Sequence, residues 1–290
     1  MKQQDANKLM AFFLAFIMLG SVFFYFVFQN IPDQQIEEEE TTQDFYDSEL
    51  WTFNQPFDSI SDALNITPVG AESASYIDLE SMTPQMAQEI GKDPLFGQLD
   101  NIYKSNTTKV YYSNLLYDNN RSEMVLSTMF PEKNDFEYIL MPNSYPPILR
   151  RLDMNGYYNV MGTPVLLATG DTIMGVLSIV DSLNKTNTSY DKYEKLLSKV
   201  PDAPFQTITS NISFAKQYYM GIRINNGSYE RTSAYLDLKP NTLKNLTRLE
   251  SNSTKDGFMQ YNLTRNGNYT LVRAVSQDLL RIFPGNEETS

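Results

Sequence analysis

Residues Leu9 to Phe28 form a run of 20 without a charged side chain (LMAFFLAFIMLGSVFFYFVF). At 1.5 Å per residue a helix of that length crosses a hydrocarbon core of about 30 Å, so the spacing predicts a single transmembrane helix over 9–28. A cleaved secretory signal would need a shorter apolar region and small residues at a cleavage site, but bulky Phe and Val are followed here by Gln29, Asn30, Ile31, Pro32 and Asp33. An uncleaved anchor is the expectation. Lys2 and Lys8 precede the run and no lysine or arginine follows until Lys92. By the positive-inside rule residues 1–8 are cytoplasmic and the C-terminal body is extracytoplasmic, with the lipid bilayer itself as the partner of residues 9–28.

The charge order sharpens this picture. The formal net charge is −12, yet the 14 acids between Lys8 and Lys92, Glu37, Glu38, Glu39 and Glu40 among them, account for the whole imbalance, because the remainder of the chain is close to neutral. A basic stripe of the kind that nucleic acid selects is missing, so no nucleic-acid partner is expected. Residues 29–72 read as an acidic tether poor in aliphatic side chains, repelled by anionic headgroups and held out from the bilayer. Trp51, Phe53, Phe57 and Ile60 interrupt it and are expected to dock on the body as a short strap.

Eleven Asn-x-Ser/Thr sequons follow the apolar run, at Asn65, Asn106, Asn120, Asn184, Asn187, Asn211, Asn226, Asn245, Asn252, Asn262 and Asn268. Chance pairing in this composition gives roughly four. Asn120, Asn226 and Asn268 fall in turn sequences, where a glycan has room. N-glycosylation of an ectodomain with no cysteine points to an archaeal surface rather than a disulfide-forming secretory pathway.

From residue 73 onward short β patterns alternate with helical ones, which predicts an α+β ectodomain of antiparallel hairpins with helices on one face. The pattern predicts hairpins over 109–130, 211–238 with the turn at Asn226-Gly227, and 258–275 with the turn at Asn266-Gly267. Val160 to Ala168 reads as one apolar strand running into a helix with Ile173, Val176, Leu177, Val180 and Leu183 on one stripe. Ser144 to Leu152 reads as a short helix capped by Ser144. Strand, helix and hairpin recur at 75–130 and 160–238, which admits two ferredoxin-like β-α-β-β repeats in lobes 73–155 and 156–290.

The chain contains no histidine and no cysteine. That excludes Ser-His-Asp and Cys-His nucleophiles, His- or Cys-ligated zinc and protein-ligated iron–sulfur clusters. What remains is carboxylate, lysine, tyrosine or hydroxyl chemistry. Thr169-Gly170-Asp171-Thr172 joins a strand to a helix but lacks the lysine and second glycine of a P-loop, so Asp171 or Thr172 reads as an ordinary cap. The four glutamates lack calcium-loop spacing, and Arg150-Arg151 reads as surface charge. No catalytic, cofactor-binding or metal-ligating residue stands out, and no cofactor is expected. The sequence therefore predicts a membrane-anchored glycoprotein with a non-catalytic binding or assembly role and an envelope or membrane protein as partner. The alternatives are a glycosidase-like hydrolase using a carboxylate pair, or an accessory subunit of a membrane complex.

Overall fold

The computed structural model describes residues 49–117, 120–182 and 187–284. The apolar run 9–28, the four consecutive glutamates and Asn184 lie outside the described residues. Among the described residues no helix is long and apolar enough to cross a membrane.

One antiparallel sheet of 12 strands organises the body. In chain order its strands are β2 (Ala71–Asp78), β3 (Asn106–Tyr117), β4 (Asn120–Phe130), β5 (Tyr138–Leu140), β6 (Ile148–Arg151), β7 (Tyr157–Val160), β9 (Val165–Thr169), β10 (Phe205–Ser210), β11 (Gln217–Asn225), β12 (Ser228–Leu236), β13 (Gln260–Asn266) and β14 (Tyr269–Ser276). Across the sheet they run β13-β14-β12-β11-β10-β2-β3-β4-β9-β7-β6-β5. A separate two-stranded parallel sheet joins β1 (Phe53–Asn54) to β8 (Gly162–Thr163). The α+β class and its antiparallel hairpins are as the sequence pattern predicts.

The helices lie on both faces of this sheet, not on one. Alternate residues of each strand point to opposite sides, so Ile77 and Tyr76 of β2 enter different cores. The Ile77 core holds Met86 and Ile90 of α2 (Pro84–Ile90), Phe96, Leu99 and Ile102 of α3 (Pro94–Tyr103) and Leu246 of α6 (Pro240–Asn252). It is closed by Leu279 and Ile282 of α7 (Leu279–Ile282). The Tyr76 core holds α1 (Ile60–Leu64), then Ile173, Val176 and Leu177 of α4 (Gly170–Asp181), and Tyr193, Leu196 and Leu197 of α5 (Ser189–Leu197). The sheet is thus the middle of three layers. All nine residues of β12 are buried, which a sheet with one wet face would not allow.

The ferredoxin-like pairing is also not the one adopted. The helices after β2 return the chain to β3, the antiparallel neighbour of β2, whereas those after β9 carry it across to β10, with β4, β3 and β2 lying between. Periodicity identifies strands and helices but carries no information on which strand meets which. The expected boundary at 155/156 falls between β6 and β7, which are adjacent strands of the same sheet. Two local readings change as well. The run Val160 to Ala168 is not one strand: it turns at Gly162–Pro164 into the antiparallel pair β7 and β9, because proline has no donor for the ladder. Ser144 to Leu152 holds β6 rather than a helix, and the Ser144 hydroxyl caps a turn by accepting from Ile148 N at 3.0 Å.

From Glu49 the stretch expected to be tether already belongs to the folded body. Phe53, Phe57 and Ile60 are buried, and Phe57 packs edge-on to Tyr76 with ring centroids 5.4 Å apart. Each such side chain contributes about 2 kcal/mol of transfer free energy, enough to order a short segment despite its acidic neighbours. Phe53 N donates to Met161 O at 3.1 Å and Gln55 N to Thr163 O at 3.2 Å. That close approach explains Gly162, where a Cβ would lie 1.8 Å from Phe53 O.

Candidate functional site

The sheet has two ends, and registers assign each connection to one of them. Phe130 lies opposite Asn106, Val165 opposite Ser127, and Ile148 opposite Val160, so these residues share the end at which β8 holds the strap. We call this the strap end. Tyr117, Asn120, Thr169, Ser210 and Leu236 mark the far end.

Ten of the eleven sequon asparagines are described and none is buried. Asn106, Asn120, Asn187, Asn211, Asn226, Asn262 and Asn268 are exposed, whereas Asn65, Asn245 and Asn252 are half-buried. Asn187, Asn211 and Asn226 have φ of 62°, 57° and 50°, the left-handed region in which asparagine is tolerated, so turn geometry also favours asparagine there. Asn120, Asn187, Asn211 and Asn268 cluster at the far end, the last two beside Ser210 and Tyr269. At the strap end Asn106 Nδ2 donates to Phe130 O at 3.3 Å, and Asn226 sits in the β11–β12 turn.

Of the charged groups singled out by sequence, Asp171 and Arg150 are exposed and Arg151 is buried. The residue at the N-cap position of α4 is Thr169, not Asp171 or Thr172, which lie inside the helix; Thr169 makes no side-chain cap bond, and its hydroxyl lies 3.1 Å from that of Thr172 and 3.0 Å from that of Ser122. Of the adjacent arginines only Arg150 is on the surface. Arg151 is 2 % exposed, a correction to the reading of the pair as surface charge. Its guanidinium stacks 3.9 Å from the Phe136 ring centroid, donates to Asn159 Oδ1 at 3.4 Å and pairs with Asp153. Glu230, also buried, accepts from Arg223 at 2.7 Å, Arg273 at 2.5 Å and Asn225 at 2.9 Å. Burial alone would raise its pKa, but these hydrogen bonds outweigh burial and hold the carboxyl down at about 2.

Two carboxyls behave differently. Glu123, on β4, has an oxygen that is buried without a hydrogen-bond partner, and burial pushes its pKa up to about 8 despite the Tyr112 hydroxyl beside it. Tyr157 flanks the same carboxyl, and burial first and then Glu123 raise that phenol. At the strap end Asp58, Asp62, Asp78 and Asp202 surround Tyr76, whose pKa is raised by burial first and then by Asp78. Lys109 bridges Asp58 at 2.9 Å and Asp78 at 3.6 Å. Asp202 is raised by burial and then by Asp62. Ser59 caps α1 by accepting from Asp62 N at 3.1 Å, and the Asp62 carboxylate in the first turn accepts in return from the Ser59 hydroxyl and from Asp58 N, both at 3.0 Å. Among the described residues no group of three or more acids is placed to hold a metal ion.

One surface feature escaped the sequence reading. Among the described residues, five of the eleven exposed large apolar side chains, Phe130, Ile139, Leu140, Tyr145 and Leu152, fall within a stretch of 23 residues that runs from the end of β4 to just past β6. Tyr145 is 85 % and Phe130 74 % exposed. Residues 138–149 (YILMPNSYPPIL) carry no charge, and residues 121–183 contain no sequon. The gap between sequons was the signal that could have found this margin.

No family profile matches the sequence, and no curated protein matches it. Similar solved structures include three crystal forms of TP0453. Form III has a TM-score of 0.45 at 9% identity, covering 76% of this chain and 96% of that one. Form IV gives 0.44 at 9%, with 75% and 94% covered, and form I gives 0.40 at 10%, with 76% and 96% covered.

Proposed function

We propose that this chain is a single-pass membrane protein with residues 1–8 in the cytoplasm, Leu9–Phe28 in the bilayer and an N-glycosylated ectodomain outside the cell. The ectodomain serves a non-catalytic binding or assembly role at the envelope of an archaeal cell. The observation that carries this reading is that all ten described sequon asparagines avoid the buried core, although they are spread over strands, turns and helices on both faces of the sheet. The commitment of Glu230 and Arg151 to internal partners supports a scaffold rather than a reaction centre. Intact mass of the protein purified from its native membrane tests the glycan: a mass equal to that of the bare chain refutes it. Protease shaving of intact cells tests the topology, and a body protected from digestion overturns it. Chemical crosslinking in native membranes before detergent extraction then identifies the envelope or membrane protein bound by the ectodomain.

A further inference from the structure

We infer that the strap end of the β4–β6 margin seats on the lipid bilayer, with Phe130, Leu140 and Tyr145 as its interfacial contacts. This rests on the anchored reading proposed above. The chain joins the folded body at this end, because Phe53 pairs with Gly162 in the β7–β9 connection. Only 20 residues separate Phe28 from Glu49. Such a segment spans at most about 70 Å, so an anchored body stays within that reach of the membrane and is tethered to it by this end.

The side chains at this end suit a lipid interface. In the sheet β4, β9, β7 and β6 are successive neighbours, so the ends of β4 and β6 lie about 14 Å apart, three strand spacings, with the Gly162–Thr163 turn between them. Exposed Phe130 and Pro131 stand on one side of that turn, and exposed Leu140, Pro142 and Tyr145 on the other. Aromatic residues of this kind are favoured where an apolar ring meets a wet headgroup layer. The alternative occupant is a strand from another protein, but β5 offers only three residues for pairing. The seven carboxylates between Phe28 and Glu49 are repelled by anionic headgroups, so the seat belongs on zwitterionic lipid. A seated Phe130 leaves no room for a glycan on Asn106, whose amide already donates to Phe130 O.

The absence of native cysteine permits a direct test. Full-length chains carrying Tyr145→Cys, Phe130→Cys, Tyr117→Cys or Leu19→Cys are spin-labelled and reconstituted in phosphatidylcholine nanodiscs. The readout is the ratio of accessibility to oxygen over accessibility to a nickel complex. Tyr117 is an exposed control at the far end, and Leu19 reports the anchor. The expected result is a ratio at 145 and 130 several-fold above that at 117, with 19 lipid-like. If 145 and 130 match 117 while 19 is lipid-like, the seat is overturned and the anchor stands. Shielding of 145 and 130 from both reagents means protein covers them, which also overturns the seat. A water-like 19 removes the anchor and the seat with it. An unchanged Trp51 emission spectrum checks that each variant is folded.

Discussion

Replacing Glu123 with glutamine should stabilise the protein at neutral pH and leave it unchanged in acid. The carboxyl of Glu123 has a pKa raised from 4.5 to about 8, chiefly by burial, and one of its oxygens lacks a partner. A carboxyl raised in the folded state binds more protons folded than unfolded. Its contribution to stability is therefore complete below pH 4.5 and is lost as the pH rises towards 8. At pH 7 the ionisation deferred amounts to 2.5 pH units, an upper limit of about 3 kcal/mol. The carboxyl retains some contact with water, so screening reduces this to about 1–2 kcal/mol. Glutamine keeps the shape and never ionises. Urea unfolding in detergent, followed by the emission of Trp51, measures the difference directly. The gain for Glu123→Gln over wild type should be near zero at pH 4.5 and about 1–2 kcal/mol at pH 7. A difference that stays constant over that range, or a variant weaker at pH 8, would refute the assignment of a desolvated, unpaired carboxyl.

Glu230 is the opposite case: its pKa is depressed to about 2, so its contribution is present above pH 4.5 and lost as the pH falls towards 2. Glu230→Gln should cost about 2–3 kcal/mol at pH 7 and progressively less in acid, measured by the same urea titrations. The neighbouring arginines should separate sharply. Arg151→Ala, which removes a buried guanidinium from Phe136, Asn159 and Asp153, should cost about 3 kcal/mol, whereas Arg150→Ala should stay within about 0.5 kcal/mol. Equal losses from the two would place Arg151 wrongly. Gly162→Ala should displace the strap, because its Cβ would overlap Phe53 O. Limited proteolysis should then cut within residues 49–58 faster than in wild type, while Gly97→Ala, with no atom near its Cβ, leaves the rate unchanged.

Local chemistry made part of this fold legible and stopped where contacts became long-range. The hairpins predicted over 109–130 and 258–275 are β3–β4 and β13–β14, and Asn226-Gly227 is the turn of β11–β12. Turn chemistry acts between residues a few positions apart, so sequence records it. Ser144 shows the limit of the same signal. A helix cap would accept from the N–H two or three residues on, but those residues are Pro146 and Pro147, which have none; the hydroxyl accepts instead from Ile148 N, and the chain continues as β6. The helices on both faces were illegible for a related reason: strands buried on both sides do not alternate, and β12 instead mixes tyrosine, serine, arginine and glutamate that are all buried. Arg151 could not be told from Arg150 because its partners Tyr103 and Phe136 come from separate segments.

The placement of cost and charge bears on what the folded body is built to do. Sequence shows an electrically balanced body, and the structure adds that balance is local: Glu230 is neutralised by two arginines, Arg151 by Asp153, and Lys109 by Asp58 and Asp78. Glu123 departs from that rule, a carboxyl partly desolvated between Tyr112 and Tyr157 with no cation among the causes of its shift. Proteins tolerate a cost of this kind where a group has another task or where its neighbours leave it no alternative. The two cases differ in how Glu123→Gln behaves outside the unfolding assay. If the variant gains stability and still gives the wild-type crosslink in native membranes, the carboxyl is an accident of packing on β4. If stability rises while that crosslink is lost, face and partner meet at Tyr112, Glu123 and Tyr157, and the bilayer seat at the strap end would orient this polar cluster away from the membrane, towards the end of the sheet at which Asn120 and Thr169 lie.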